Sequence, residues 1–545
     1  MRSGILAGLA ILIAVPAMAQ PADFAAEARR MTETAYPADG PGAAVVVMRN
    51  GTILYAGGRG IADLATRRAI TPDTRFRLGS ITKQFVAAVV LQLVAEGRIA
   101  LDDPLSRFLP DFPAPGAGAT VRQLLNHSSG VMDYTKIPGW MLSPPSLEPN
   151  TTAQLVALIA SKSAVSPPGT RWEYNNSGYV LLGAIIEKVT GRAWHEAVVE
   201  RIARPLGLKS IAYAGAVEDG TARGYTLEDG RAVPARPVHV SVAHAAGGLA
   251  GSAADLARWA RTLHHGRVVR ADLYREMTSP AQLTDGSTRP YGFGLRLREI
   301  RGRPALVHGG AARGVDTDSV YLPSADLYVA VLANSSDPPV DPATLTRQLA
   351  ALALGQPVPS LSRVPLAIAA VEPLFGSYGG GSGPVRRFFA RDGKLYLGVG
   401  DEEAEVFAAG GDRFMLDPLI SFRIERRPDG NHAMEIDRVE LAAPVRLVRT
   451  GAVPPPLTVG IAVLRSYTGR YATEGPVIVI ALDAQGRLTM DGGPQGTLML
   501  RPVSQTEFMV DQARMRVVFH PEGGRVGRLT IYRGPRVLNG KRTEG

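Results

Sequence analysis

The 545-residue sequence contains no cysteine, which excludes disulfides, a thiol nucleophile, cysteine-ligated zinc and iron–sulfur clusters. Any nucleophile is therefore an oxygen or a nitrogen. Lysine is scarce, with seven residues against 53 arginines; arginine stays protonated, so an amine base has few candidates. Aromatic residues make up only 6%, and no basic run exceeds a pair such as Arg67-Arg68 or Arg426-Arg427. The net charge of +10 thus lacks the clustered stripe of a nucleic-acid surface, and no nucleic-acid partner is expected. Long apolar runs are missing as well. The run Gly4 to Val15 falls short of the ~20 residues that span a bilayer. Preceded by Arg2 and followed by Pro16 and Ala17-Met18-Ala19, it reads as a cleavable secretory signal peptide over residues 1–19, so a periplasmic or secreted protein without a stable membrane span is expected.

What is present is ample core material: 45% hydrophobic residues, enough for about three domains. Residues 43–58 hold two β-prone runs joined by Asn50-Gly51, the two-residue type I′ hairpin signal. Helical patterns follow at 82–97, 152–163, 177–191 and 253–264, the last opened by Ser252 with Asp255 three residues on. Strand signals return at 304–307 and 318–333. Strands at both ends with helices between imply an α+β domain whose sheet is closed by its two ends. Near residue 356 Pro357, Pro359 and Pro365 punctuate the chain and short β-runs take over; a second break is Pro454-Pro455-Pro456. Between and after these breaks lies an internal repeat. Tyr378 matches Tyr471, Leu395 matches Leu488 and Pro428 matches Pro521, each at an offset of 93, and Phe414 matches Phe508 at 94. Each unit has the size of a small closed antiparallel barrel, with Phe388, Phe389, Tyr396 and Phe407 expected in its core. The expected domains are a signal peptide (1–19), an α+β domain (20–355), one barrel with its linker (356–455) and a second barrel (456–545).

Ser80-Ile81-Thr82-Lys83 opens the pattern at 82–97 and is the single Ser-x-x-Lys spacing in the chain. Three residues apart, the two side chains share a helical face, and the serine N–H in the first turn is free to bind an oxyanion. A buried lysine whose pKa falls toward neutrality can deprotonate a serine. Taken alone, the spacing also fits a helix cap beside a surface cation. Tyr174-Asn175-Asn176 precedes an apolar helix: a tyrosine beside a lysine can relay a proton and an asparagine can hold a carbonyl or the lysine, although a capping loop fits equally. His308-Gly309-Gly310 follows an apolar strand, and its glycines would let a substrate approach the backbone, with the N–H of Ala311 a second oxyanion donor. His264-His265-Gly266 has the ordinary composition of a helix end.

The ordered set Ser80-x-x-Lys83, Tyr174-x-Asn176 and His308-x-Gly310 resembles the serine β-lactamase and penicillin-binding-protein superfamily, and Leu124–Gly130, Gly247–Ser252 and Tyr291–Gly294 agree with it. Within it the sequence is most similar to the D-aminopeptidase family, which carries two C-terminal lipocalin-like β-barrels. The resemblance implies a β-lactamase/transpeptidase-like catalytic domain followed by two antiparallel barrels that restrict substrate size. It implies Ser80 as acylated nucleophile, Lys83 as its base, Tyr174 as proton relay, Asn176 as positioning group, His308 as the third-motif residue, and an oxyanion hole beside Gly310 made by the N–H groups of Ser80 and Ala311. In D-aminopeptidases a loop of the last barrel contacts the substrate amine, whereas the turn at Asp511-Gln512-Ala513 here is short.

The expected activity is hydrolysis of a small peptide or amide with D-stereospecificity; a carboxylesterase, a β-lactamase-like hydrolase and an inactive receptor for cell-wall fragments are the alternatives. No cofactor and no metal is expected, since the nine histidines show no ligand spacing. Gly379–Gly383 lacks the strand–helix context of a phosphate loop. A homo-oligomer stays open.

Overall fold

Asn50 and Gly51 both take positive φ, +50° and +75° in the computed structural model, and turn β1 (Ala43–Arg49) back along β2 (Thr52–Arg59). The structure describes residues 24–217, 220–236, 238–380, 383–455, 457–491, 496–522, 525–534 and 536–543. The signal-peptide reading of 1–19, and Gly381, Ser382 and Pro456 of the segments named above, lie outside them. Contacts divide the chain into two units, Met1–Pro359 with Val439–Ala443, and Ser360–Arg438 with Pro444–Gly545.

The first unit is built on a six-stranded antiparallel sheet. Four later strands, β3 (Arg296–Ile300), β4 (Arg303–Ala312), β5 (Val315–Leu322) and β6 (Leu327–Ala333), join the hairpin in the order β3-β4-β5-β6-β1-β2. The early strand β1 pairs with the late strand β6, Ala43 opposite Ala333, so the sheet is closed by its two ends as expected. Strand β1 is buried on both faces and reads as one apolar run. Its alternate residues Ala44, Val46 and Met48 enter the main core with Tyr328, Ala330 and Leu332 of β6, because side chains of a strand point to opposite faces by turns. On the other face Asp318 of β5 accepts from Thr346 Oγ1 at 2.6 Å and pairs with Arg347, which anchors the helix Pro342–Ala353 there. The run read as one strand signal at 318–333 is two strands, broken by the turn Pro323–Ala325; proline has no N–H for the ladder.

Helices fill the main-core side. We denote α1 (Phe24–Ala35), α2 (Thr82–Ala95), α3 (Asn176–Thr190), α4 (Val240–Gly247) and α5 (Ala253–His264). From Thr82 to Leu91 every residue of α2 is buried, the mark of a helix enclosed on all sides. Helix α3 packs against α2 and α4, begins at an Asn175 cap whose side chain accepts from Gly178 N, and ends at Gly191 with φ +69°. Ser252 caps α5 by accepting from Asp255 N at 3.2 Å, while the Asp255 carboxylate accepts from Ser210 instead of returning to the cap. Among the described residues no helix is long and apolar enough to cross a membrane.

The second unit holds two antiparallel barrels. Eight strands from Gly376 to Gly451 close completely, the first pairing with the last. The nine-stranded sheet that follows nearly closes, because its edge strands Thr497–Met499 and Arg501–Pro502 are consecutive in the chain and meet at Leu500. The repeat has a structural basis: Tyr378 and Tyr471 are both fully buried, and each hydroxyl donates to the carbonyl four residues upstream, Leu374 and Tyr467. Phe414 and Phe508 likewise enter their respective cores. Of the expected barrel-core aromatics only Phe388 is buried. Phe389 and Tyr396 are cross-strand partners that stack on each other, and Phe407 stacks under Arg363; all three lie on the outward side of the strand alternation. The turn Asp511–Ala513 is a single 3-10 turn, and the Asp511 carboxylate is held at 2.8 Å by both Nε and Nη2 of Arg501, a residue that also pairs with the nearly buried Glu403 of the first barrel.

Candidate active site

Ser80 lies in the 3-10 turn Gly79–Ile81 that leads directly into α2, one turn before the helix proper. Lys83, fully buried in the first turn of α2, sends its Nζ to Ser80 Oγ at 3.0 Å, Asn176 Oδ1 at 3.0 Å and the carbonyl of Ala246 at 2.8 Å. Burial pushes its pKa down to about 7, with the Arg296 cation adding to the fall and the Asp133 carboxylate opposing it. Helix α4, which supplies the Ala246 carbonyl, is kinked at His244, where φ is +45°.

The start of α3 supplies the second group. Asn176 is oriented by Asp133: the buried carboxylate accepts from Asn176 N at 3.2 Å and Nδ2 at 3.4 Å, while its other oxygen accepts from Thr135 N and Oγ1 at 3.0 and 2.8 Å. With the amide nitrogen on Asp133, the amide oxygen faces Lys83. Tyr174, two residues earlier, is hydrogen-bonded to Ser80, and burial pushes its phenol up to about 12 against the lowering by that bond and by Arg296. Lys83 Nζ lies 4.9 Å from the Tyr174 ring centre and the Arg296 guanidinium 5.0 Å from it.

Strand β4 supplies the third. Its neighbour β3 begins opposite Val307, so from His308 on that edge of β4 has no strand beside it among the described residues and faces the Ser80 turn. The Thr317 hydroxyl bridges the carbonyls of Leu78 and Gly310 at 3.1 and 3.0 Å and ties the two segments together. A Cβ on Gly310 would come within 2.1 Å of the Leu78 carbonyl and 2.7 Å of Ser80 N, and one on Gly79 within 3.2 Å of Ala311 N. The approach of the backbones therefore requires glycine at both places, and it brings Ala311, which is exposed, beside Ser80.

His308 is buried and turned away from the serine. Its Nδ1 donates to the Gly309 carbonyl at 2.7 Å, which leaves Nε2 to accept from Tyr291 Oη at 2.9 Å. Burial, with Lys83 adding to the effect, brings its pKa down to about 3. Both ring nitrogens are thus engaged, and the imidazole buttresses Tyr291 and Tyr174, whose ring centres lie 5.9 and 6.1 Å away. His264, at the end of α5, stacks on Tyr321 and bonds Tyr274 Oη.

Ser80, Lys83, Tyr174, Asn176, Gly310 and Ala311 converge, and two further groups join them that motif reading passes over. Asp133 lies three residues past the Leu124–Gly130 stretch, where a polar residue in a mixed loop gives no periodic signal. Arg296 is one arginine among 53, yet among the described residues it forms no ion pair, and its guanidinium rests on the Tyr174 and Tyr291 rings.

A model of the family Beta-lactamase matches residues 29–354. The D-aminopeptidase of Brucella canis is 33% identical over 288 residues, which cover 50% of this chain and 52% of that protein; the chain spans about half the length of the curated relatives it matches. Among solved structures, the octameric penicillin-binding protein homologue from Pyrococcus abyssi superposes with a TM-score of 0.53 at 26% identity, covering 78% of this chain and 97% of that one. A D-stereospecific amidohydrolase from Streptomyces sp. has a TM-score of 0.50 at 31% identity, covering 57% and 94%. With the family model matching more than half of its length, this chain belongs to the beta-lactamase family.

Proposed function

We propose that the protein is an exported serine hydrolase that cleaves amide bonds through a Ser80 acyl-enzyme, with D-stereospecific peptidase selectivity. The observation that carries this reading is the enclosed Lys83 amine 3.0 Å from Ser80 Oγ with a pKa of about 7. A neutral amine has two N–H groups and one lone pair. Asn176 Oδ1 and the Ala246 carbonyl take the two N–H groups, which leaves the lone pair to accept the Ser80 proton. The serine oxygen then attacks the substrate carbonyl, and the oxyanion is held by the N–H groups of Ser80 and Ala311. The proton passes through Tyr174 to the leaving amine as the C–N bond breaks. Water reverses the sequence: its proton goes to the Lys83 and Tyr174 pair, its oxygen to the acyl carbon, and Ser80 is regenerated.

The D-preference is supported by the Brucella D-aminopeptidases and the Streptomyces D-stereospecific amidohydrolase. Which end of the substrate is read is a separate matter. Asp133 is committed to Asn176 and Thr135, whereas Arg296 rests on the Tyr174 ring and, among the described residues, forms no ion pair. This favours a substrate with a free carboxylate over one with a free amine. The test compares hydrolysis of D-alanine p-nitroanilide, its L-form, acetyl-D-alanyl-D-alanine and p-nitrophenyl butyrate. Cleavage of acetyl-D-alanyl-D-alanine faster than D-alanine p-nitroanilide, with the L-form inert, supports the reading; the reverse order rejects the carboxylate preference, and cleavage of the ester alone rejects the amidase assignment. Export rests on residues 1–19, and a secreted product that begins at Gln20 by N-terminal sequencing is the expected outcome.

A further inference from the structure

Tyr174 sits in a loop between a short run of turns and α3, so something must hold its hydroxyl on Ser80. Both peptide units around it are anchored on one residue. The carbonyl of His127 accepts from Glu173 N at 3.0 Å, and the His127 ring Nδ1 accepts from Asn175 N at 3.2 Å. The ring lies against the phenol it brackets, with 4.4 Å between the centres of His127 and Tyr174, and 4.5 Å to Tyr291.

Two unfavourable features meet at His127. It is a non-glycine residue with φ of +67°, a region that costs energy for a side chain with a Cβ. Because Nδ1 accepts, the ring proton is on Nε2, which is buried and has no partner among the described residues. Such a donor is normally satisfied. Burial first, then the Lys83 and Arg296 charges, keeps the imidazole neutral, so it does not serve as the acid of the reaction. Strain and a lost hydrogen bond at one fully enclosed residue beside the reacting groups indicate a constraint that general packing does not supply.

We propose that His127 is the positioning residue of Tyr174, clamping the backbone on both sides of the tyrosine through its carbonyl and its ring Nδ1 so that the phenol stays on Ser80. This rests on the Tyr174 role given under Proposed function. It gives the Leu124–Gly130 stretch a purpose: the left-handed turn at His127 lets the carbonyl and the ring of one residue reach two N–H groups two residues apart.

The test uses the full chain and a double-mutant comparison of His127 variants with Tyr174→Phe, assayed on whichever of the four substrates named above the unaltered protein cleaves fastest. His127→Ala should lower kcat about 10- to 100-fold with KM nearly unchanged, the loss expected from a misplaced reacting group. His127→Asn should restore most of the rate, since asparagine tolerates positive φ and its Oδ1 stands where Nδ1 stood. In the Tyr174→Phe background His127→Ala should change kcat less than about twofold, because residues acting as one unit are not additive. Equal losses in both backgrounds, no loss at all, or failure of asparagine to rescue overturns the proposal. If the alanine variant does not fold, His127→Gln, whose polar group lies one atom too far, replaces it against His127→Asn. If Tyr174→Phe alone leaves kcat unchanged, it is the Tyr174 role that fails.

Discussion

Lys83 can be a base only because its surroundings remove the stabilisation that water gives an ammonium ion. Its acid limb should therefore appear in the rate: kcat/KM is expected to rise with pH through about 7, the value that burial gives the amine. Lys83→Arg keeps the positive charge but cannot lose its proton, and should lower kcat by at least about 10³-fold. The two charged neighbours act with opposite sign. Asp133 favours the ammonium form and Arg296 disfavours it. Asp133→Asn should thus move the acid limb to lower pH, and Arg296→Leu should move it to higher pH. A pH–rate profile of the three proteins checks both, and shifts in the same direction contradict the assignment. Lys83 was legible because Ser80 and Lys83 meet through a local helical spacing. Asp133 and Arg296 reach the same amine only after the chain folds back, so no spacing announces them.

At the scale of elements, the site depends on an edge of β4 left unpaired beyond the start of β3, and on a 3-10 turn pressed against it. Gly310→Ala should place a methyl group against the Leu78 carbonyl and Ser80 N and widen the oxyanion site. A loss of about 10²–10³-fold in kcat is expected, with thermal stability reduced far less. Steady-state kinetics and a melting curve measure the two separately, and an active Gly310→Ala enzyme would show that these N–H groups do not hold the oxyanion. The helix patterns at 82–97, 177–191 and 253–264 match α2, α3 and α5 within a few residues, because burial and caps are written locally. The end of β4 was less legible: glycines weaken a strand in isolation, yet pairing of Gly309, Gly310 and Ala311 with Asp318, Thr317 and Asp316 carries it on to Ala312. The engagement of His308 with Tyr291 and Gly309 depends on which face of β4 it occupies, which the motif does not specify.

For the whole molecule, the repeated barrels were legible because a constant offset survives divergence, whereas the outward stacking of Phe389 and Tyr396 was not, since an aromatic in a strand can face either way. The equivalence is testable. Tyr378→Phe and Tyr471→Phe each remove one hydrogen bond to a carbonyl, and each should destabilise the chain by about 1 kcal/mol in urea unfolding; a large loss for one and none for the other would contradict it. Acid should act on the first unit. His127, His244 and His308 are buried with pKa values below 6.5, those of His244 and His308 near 3. The unfolded chain therefore binds protons first, and stability falls as pH drops from about 6.5 toward 3, by up to about 1.4 kcal/mol per pH unit for each histidine. Urea midpoints at pH 7 and 5 measure the fall, and equal midpoints would contradict it.

The most direct measurement is the intact mass and peptide map of the full chain after treatment with a fluorophosphonate. One adduct on Ser80, absent from both Ser80→Ala and Lys83→Arg, is expected for a serine activated by Lys83. An unmodified protein, or an adduct that persists in Ser80→Ala, contradicts the assignment of Ser80 as the nucleophile.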